Sequence, residues 1–163
     1  MIAVCNTSPI SNLIQIDALP LLGRLFAQIM IPPEVTEELD AGAEVLGMWR
    51  EAAGAAAIEV LPATNQDLVR ELSTALHSGE SAAIALALQV ANSVLVIDEV
   101  DGRKTATRLG LKIVGTVGIL LWAKERQLIE RVEPYLQALR IKAHFWLSDN
   151  LYNHALVLAG EEK

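Results

Sequence analysis

The run Ser93-Val94-Leu95-Val96-Ile97 constrains the fold more than any other stretch of this chain. It is rich in β-branched side chains and shows no apolar–polar alternation. A strand that is apolar on both faces has to be covered on both faces, which is the position of a parallel strand between two helical layers. Four more short apolar runs, Ile2–Cys5, Ile29–Ile31, Ile58–Leu61 and Leu111–Val114, read as strands of the same sheet. Helical stretches separate them: Ser11–Ile16, Leu19–Phe26, Glu34–Leu39, Val45–Ala53, Gln66–Leu76, Glu80–Val90 and Val100–Leu109. Val117–Arg126, Ile129–Leu139 and Asp149–Ala159 follow as further helices. The punctuation agrees. Pro33 suits a first helical position, Gly42 and Gly110 suit helix ends, and Ser148 suits an N-cap. Thr64 with Asp67 offers a capping pair for the helix at Gln66. Strands alternating with helices imply right-handed crossovers and an α/β fold with a parallel sheet.

At 163 residues, with no repeat and no linker-like segment, the chain is expected to form one domain over residues 1–163. Hydrophobic residues make up 52% and aromatics only 4%, so the core has to be aliphatic. The single cysteine, Cys5, excludes an internal disulfide and a Cys-rich zinc site; it is expected to be a buried strand residue. With no recognisable leader segment, a cytoplasmic location is expected. The longest uncharged run, Ser81–Ile97, contains Gln89, Asn92 and Ser93 and falls short of the ~20 apolar residues a membrane span needs. The net charge is −7, which disfavours indiscriminate binding to phosphate backbones. Its distribution is uneven: residues 1–100 hold 3 of the 13 basic and 13 of the 20 acidic residues. An acidic part and a mildly basic part could face each other across one cleft, or both could be ordinary solvated surface.

In parallel sheets, ligands bind beyond the carboxyl ends of the strands. Asn6 follows the first strand. Asp98 follows the fourth, with Glu99 and Asp101 close behind. Glu38 lies on the helix after Pro33, and Glu80 opens a helix directly after Gly79. Each has a plain structural alternative: Asp98 as a helix cap, Glu80 as a carboxylate favoured by a helix dipole, Glu38 as one acid of a solvated face. Carboxylates converging from separate elements repel one another unless a cation neutralises them, and hard oxygen ligands select Mg²⁺ or Mn²⁺. Other chemistries lack their residues. His77, His144 and His154 show no metal-ligand spacing. Gly115-Thr116-Val117-Gly118 lacks the Lys of a phosphate loop and the third glycine of a dinucleotide fingerprint, which disfavours a small-molecule binder of that kind. Trp49, Trp122 and Trp146 are scattered and are expected to anchor packing.

Five segments in order carry a family resemblance. They are Asn6-Thr7-Ser8-Pro9-Ile10, then Ile31-Pro32-Pro33-Glu34-Val35 leading to Glu38-Leu39, and Gly79-Glu80 with Ala82, Ala83, Ile84 and Ala85. Asp98-Glu99 with Arg103 and Ala106 is the fourth, and Gly115-Thr116-Val117-Gly118-Ile119-Leu120 with Ala123-Lys124 the fifth. Together they resemble PIN-domain proteins, in particular a predicted-nuclease subgroup of unknown function related to the toxins of toxin–antitoxin pairs. The resemblance implies a three-layer α/β/α sandwich and a metal-dependent endoribonuclease using Mg²⁺ or Mn²⁺. It implies ligands and catalytic groups at Asn6, Glu38, Glu80 and Asp98, with Asp101 a further candidate. It also implies contacts to RNA from Thr7, Ser8, Arg103 and Lys104. A homodimer is implied, with helices Leu13–Phe26 and Val117–Leu139 as interface candidates against plain core burial, and an antitoxin protein is a conceivable partner. One position departs. The family has Asp where this chain has Asn6, which keeps an oxygen ligand but removes a charge and a base. A weakened nuclease and a catalytically degenerate RNA- or protein-binding module therefore both stand.

Overall fold

The computed structural model describes residues 1–42 and 48–162. Five strands, β1 (Ile2–Cys5), β2 (Gln28–Ile31), β3 (Ile58–Val60), β4 (Ser93–Val96) and β5 (Lys112–Val114), form one parallel sheet in the order β3-β2-β1-β4-β5. The helices are α1 (Thr7–Gln15), α2 (Pro20–Leu25), α3 (Pro33–Ala41), α4 (Trp49–Ala55), α5 (Gln66–Leu72), α6 (Ser78–Gln89), α7 (Val100–Arg108), α8 (Thr116–Glu125), α9 (Glu133–Ile141) and α10 (Asp149–Leu158).

Strand side chains alternate between two cores, as the period of two requires. Ala3, Cys5, Ile29, Ile31, Val94 and Val96 face a large layer built from α1, α2, α3, α4, α8, α9 and α10. Val4, Met30, Leu95 and Ile97 face a smaller layer dominated by α6, with Val69 of α5 and Ala106 of α7. The three-layer α/β/α arrangement expected from the apolar runs is the one observed. Every residue of β4 is buried, which is why that run has no polar alternation. The apolar faces of the helices considered as an interface are spent inside the chain: Leu13, Leu22, Phe26, Ile119, Leu120 and Leu136 are all buried in the large layer. Burial also pushes the Cys5 thiol up to about 12, which makes it a packing residue with no reactive thiolate. Among the described residues, no helix is long and apolar enough to cross a membrane.

Local differences from the sequence reading have local causes. The first helix begins at Thr7, four residues earlier than expected, because Pro9 falls in a first turn whose N–H groups need no partner. The cap of α5 is Asn65, whose side chain accepts from the Leu68 N–H at 3.1 Å, while Thr64 is engaged by Gln89 instead. Part of the expected helix Val45–Ala53 lies outside the described residues; α4 starts at Trp49. Ser148 caps α10 as expected, accepting from Leu151 N–H at 3.1 Å.

The chain beyond α10 turns back through Gly160, which adopts φ +70°. Glu161 N–H bonds to Leu156 O at 2.8 Å and Gly160 N–H to Val157 O at 3.0 Å, the pair of bonds of a Schellman ending. This brings the Glu161 carboxylate onto the N-terminus of α9. There it accepts from the N–H groups of Val132 at 2.6 Å and Glu133 at 3.0 Å, and from Lys124 Nζ of α8 at 2.8 Å. One acidic side chain thus ties three helices together.

Candidate functional site

The sheet order leaves β1 and β4 adjacent while their following connections leave in opposite directions, so a crevice opens between their carboxyl ends. Asn6 N–H donates to Val96 O at 3.0 Å, which carries the strand pairing right up to the crevice. Asn6 itself is 2% exposed. Its Nδ2 donates to Glu99 Oε2 at 3.0 Å, and only this orientation of the amide suits a carboxylate neighbour. The amide oxygen Oδ1 therefore points the other way, buried and without a donor.

Three acids surround this amide. Glu99 also accepts from Ser8 Oγ. Glu38 accepts from Thr7 Oγ1 at 2.5 Å and from the N–H of Gly79, in the first turn of α6, at 3.4 Å. Glu80 is 5% exposed; its Oε1 accepts from His77 N–H at 3.4 Å, and its Oε2 has no partner. Together they line a cavity of about 350 Å³ with Thr7, Ser8, Ala41, Gly42 and His77. Burial pushes the Glu80 carboxyl above its usual range; the charges of Glu99 and, less strongly, Glu38 add to this against the His77 N–H.

The sequence reading placed Asp98 in this pocket. In the structure its carboxylate turns away, to the start of α8. Oδ1 accepts from Thr116 N–H at 2.8 Å, Oδ2 from Thr116 Oγ1 at 2.6 Å and more weakly from Asn12 Nδ2 at 3.5 Å. Asp98 does cap a helix, but the helix after β5 rather than the one after β4. Burial raises its carboxyl too, partly countered by the two Thr116 bonds. The pocket carboxylate expected from Asp98 comes from Glu99 instead. Asp101 is exposed on the first turn of α7 and does not line the pocket. Arg103 donates Nη1 to Ile97 O at 2.9 Å, and with Lys104, Thr107, Arg108 and Ile113 it lines a separate basic cleft of about 630 Å³.

Three glycines shape the space for the acids. A Cβ on Gly79 would lie 1.9 Å from Glu38 Oε1, one on Gly102 2.5 Å from Glu80 Oε2, and one on Gly115 2.8 Å from Asp98 Oδ1. At Gly79 the three nearest atoms all belong to the end of the Glu38 side chain, so a substitution displaces that carboxylate before it disturbs the backbone, whereas at Gly102 the buried Ile97 side chain would also stand 2.6 Å away. Gly79→Ala is therefore expected to fold with an unchanged or slightly higher Tm, since Ala favours a helix by about 1 kcal/mol over Gly. The carboxylate of Glu38 is evicted, and Mn²⁺ affinity by calorimetry is expected to fall about 10-fold, the lower end of what misoriented ligands cost. An unchanged affinity would show that Glu38 does not face the ion.

Among the described residues, no three His, Cys, Asp or Glu side chains are gathered tightly enough to hold a metal ion by themselves. The donor set nevertheless fits a hard cation once the amide is counted. Asn6 Oδ1 and Glu80 Oε2 are buried acceptors with no donor, and every other group at the cavity that could ligate is an oxygen, save His77. Sequence reasoning missed His77 as a pocket residue and Thr116 as the partner of Asp98; His77 comes to the pocket as the residue that caps α6, three positions before Glu80, whereas the Thr116 contact spans eighteen residues and has no local signal.

No match to the chain was found among curated proteins or among solved structures. A family model, DUF3368, described as a PIN domain, matches residues 2–161. PIN domains are generally nucleases that use divalent metals and act on RNA. A parallel sheet with an oxygen-lined crevice at the ends of β1 and β4, matched from end to end of the described fold, makes this chain a member of the PIN-domain family.

Proposed function

We propose that the chain is a metal-dependent endoribonuclease, weakened by Asn6, that hydrolyses RNA phosphodiester bonds with Mg²⁺ or Mn²⁺. The observation that carries this reading is the pair of orphaned buried acceptors, Asn6 Oδ1 and Glu80 Oε2, in a cavity whose carboxylates repel one another. The residues that would hold the ion are Asn6, Glu38, Glu80 and Glu99. When bound, such an ion polarises the scissile phosphate and lowers the pKa of an attacking water. The chain's own groups do the rest. Thr7 and Ser8 hold Glu38 and Glu99 by hydroxyl bonds, so that one of these carboxylates is poised to accept the water's proton. Asn6 can ligate but cannot take a proton. Asp98 acts at one remove, fixing Thr116 and the start of α8 beside the crevice.

The test is cleavage of single-stranded RNA in Mn²⁺, Mg²⁺ and chelator. Weak cleavage that chelator abolishes is expected, together with its loss in Glu80→Gln. Cleavage indifferent to chelator would overturn the reading. Glu80→Gln also has a signature in stability. Because burial and neighbouring acids raise the folded Glu80 carboxyl, its charged form opposes folding. That opposition is absent below the unfolded value, near pH 4.3, and grows as pH rises through the folded one. In chelator at pH 7, Glu80→Gln is therefore expected to melt above the wild type, with the difference closing towards pH 4.

One observation favours a second reading. The Asn6–Glu99 bond satisfies a carboxylate without any cation, as a binding module that has given up catalysis would require. Retained RNA binding with no cleavage in any metal would select it.

A further inference from the structure

Of the three tryptophans, Trp49 is buried and donates Nε1 to Asp40 at 2.7 Å, and Trp122 packs on Phe26 with ring centroids 6.2 Å apart. Trp146 does neither; it is 85% exposed. Burying a large apolar side chain stabilises a fold by roughly 1.5–3 kcal/mol, so folding alone gives no reason to hold this ring outward. Its mount is nevertheless firm. Phe145 N–H donates to Leu139 O at 2.9 Å, Leu147 is buried, and Arg140 clasps Leu147 O through Nε at 3.2 Å and Nη2 at 2.7 Å.

The loop that carries Trp146 also borders the site. Ala143 walls a groove of about 270 Å³ with Ser11, Asn12 and Gln15, and this groove shares Thr7, Ser8 and Glu38 with the carboxylate cavity. Successive turns of α1 thus lay a polar stripe from the cavity to the loop. Ala143 sits between Lys142 and His144, both exposed, and no acidic residue lies between Glu133 and Asp149 in a chain of net charge −7.

We infer that Trp146 is a stacking platform for an unpaired base of a single-stranded nucleic acid, whose backbone runs along the α1 stripe into the carboxylate cavity. An exposed indole binds any base by its π-face, and only an unpaired base offers that face; Lys142 supplies the phosphate contact. The backbone held on either side of Trp146 leaves only the indole's own torsions to be ordered on binding. Exposed Ile141, the last residue of α9, would instead suit a protein partner, but the neighbouring Lys142 and the continuity with the groove favour a nucleic acid. The destination of the strand rests on the nuclease reading; the platform itself does not.

The test is binding without metal. In chelator at low salt, a labelled single-stranded oligouridine is titrated by anisotropy against the wild type, Trp146→Ala and Trp146→Phe, while tryptophan emission is followed in the wild type. Quenched emission, preference over the same strand in a duplex, a roughly 5- to 100-fold loss in Trp146→Ala and near-full retention in Trp146→Phe are expected. No binding, binding without quenching, or equal affinity in Trp146→Ala would each overturn the platform. So would loss of self-association in Trp146→Ala with RNA affinity unchanged, which would make the ring a protein contact. Binding as expected with no cleavage in Mn²⁺ leaves the platform standing and removes only the nuclease reading.

Discussion

Asn6→Asp is expected to melt below the wild type in chelator and to overtake it in Mn²⁺. In the wild type, Nδ2 of Asn6 donates to Glu99 Oε2 at 3.0 Å. Asp at this position has no hydrogen to give at neutral pH, so two carboxylates would face each other inside a site where Glu80 and Glu38 already repel. Loss of a charged hydrogen bond alone costs about 1.5–3 kcal/mol. For a domain of this size that corresponds to a Tm lower by about 3–12 °C. A divalent ion reverses the sign. It gains a charged ligand in place of a neutral one, and at a few Å an extra unit charge contributes several kcal/mol even at an effective dielectric near 20. A Mn²⁺ affinity at least about 10-fold tighter is therefore expected, appearing as a larger metal-induced rise in Tm. RNA cleavage should rise in parallel, because the new carboxylate is also a base. Equal Mn²⁺ affinity in the two proteins would show that the amide oxygen suffices and that its charge is immaterial.

The second large effect concerns stability alone. Glu161→Gln is expected to lose about 2–3 kcal/mol, and Glu161→Ala at least as much, because the Lys124 cation and two α9 N–H groups lose a charged acceptor. The Glu161 side chain is only 6% exposed, so solvent screens little of this. Burial alone would raise its carboxyl, but the bonds from Lys124, Val132 and Glu133, with the Lys124 charge, hold it below the usual range. The sign follows. A depressed folded value contributes stability that is fully present above the unfolded value, about pH 4.3, and disappears as pH falls through the folded one. The Tm gap between wild type and Glu161→Gln should be constant from pH 8 to pH 6 and close in strong acid. Equal melting at pH 7 would show that the clamp contributes nothing.

The sheet was legible because its signal is local. Val94-Leu95-Val96 is apolar on both faces whatever surrounds it, and the ends of the strands follow from where the run stops. That candidate residues gather beyond the carboxyl ends of the strands was legible from the parallel-sheet reading; that β1 and β4 are neighbours there was not, because strand order is set by packing between distant segments. Nor was it legible which of two adjacent acids enters the crevice. Asp98 and Glu99 both follow the strand, and the choice is made by Thr116, eighteen residues away, whose N–H and hydroxyl capture Asp98. No periodicity encodes that contact. The caps show the same limit at smaller scale: Ser148 had no rival, whereas Asn65 displaced its neighbour Thr64 because Gln89, twenty-five residues on, had already taken the hydroxyl. The role of Glu161 was invisible in the sequence, since a Glu just past the end of a helix looks like any solvated acid until Gly160 turns the chain.

The glycines beneath the carboxylates have a consequence for the natural history of such a site. Gly79 and Gly102 lie within helices, where each costs about 1 kcal/mol relative to Ala. An alanine at Gly79 would be a simple route to a sturdier protein, and the nearest atoms in its way all belong to the Glu38 carboxylate; at Gly102 the buried Ile97 side chain stands in the way as well. A lineage that had abandoned the pocket would be free to take that route. This chain has an amide at Asn6, where the family resemblance implies Asp, and keeps the hollow at Gly79, so a survey for decayed relatives would do better to look for lost glycines than for lost acids.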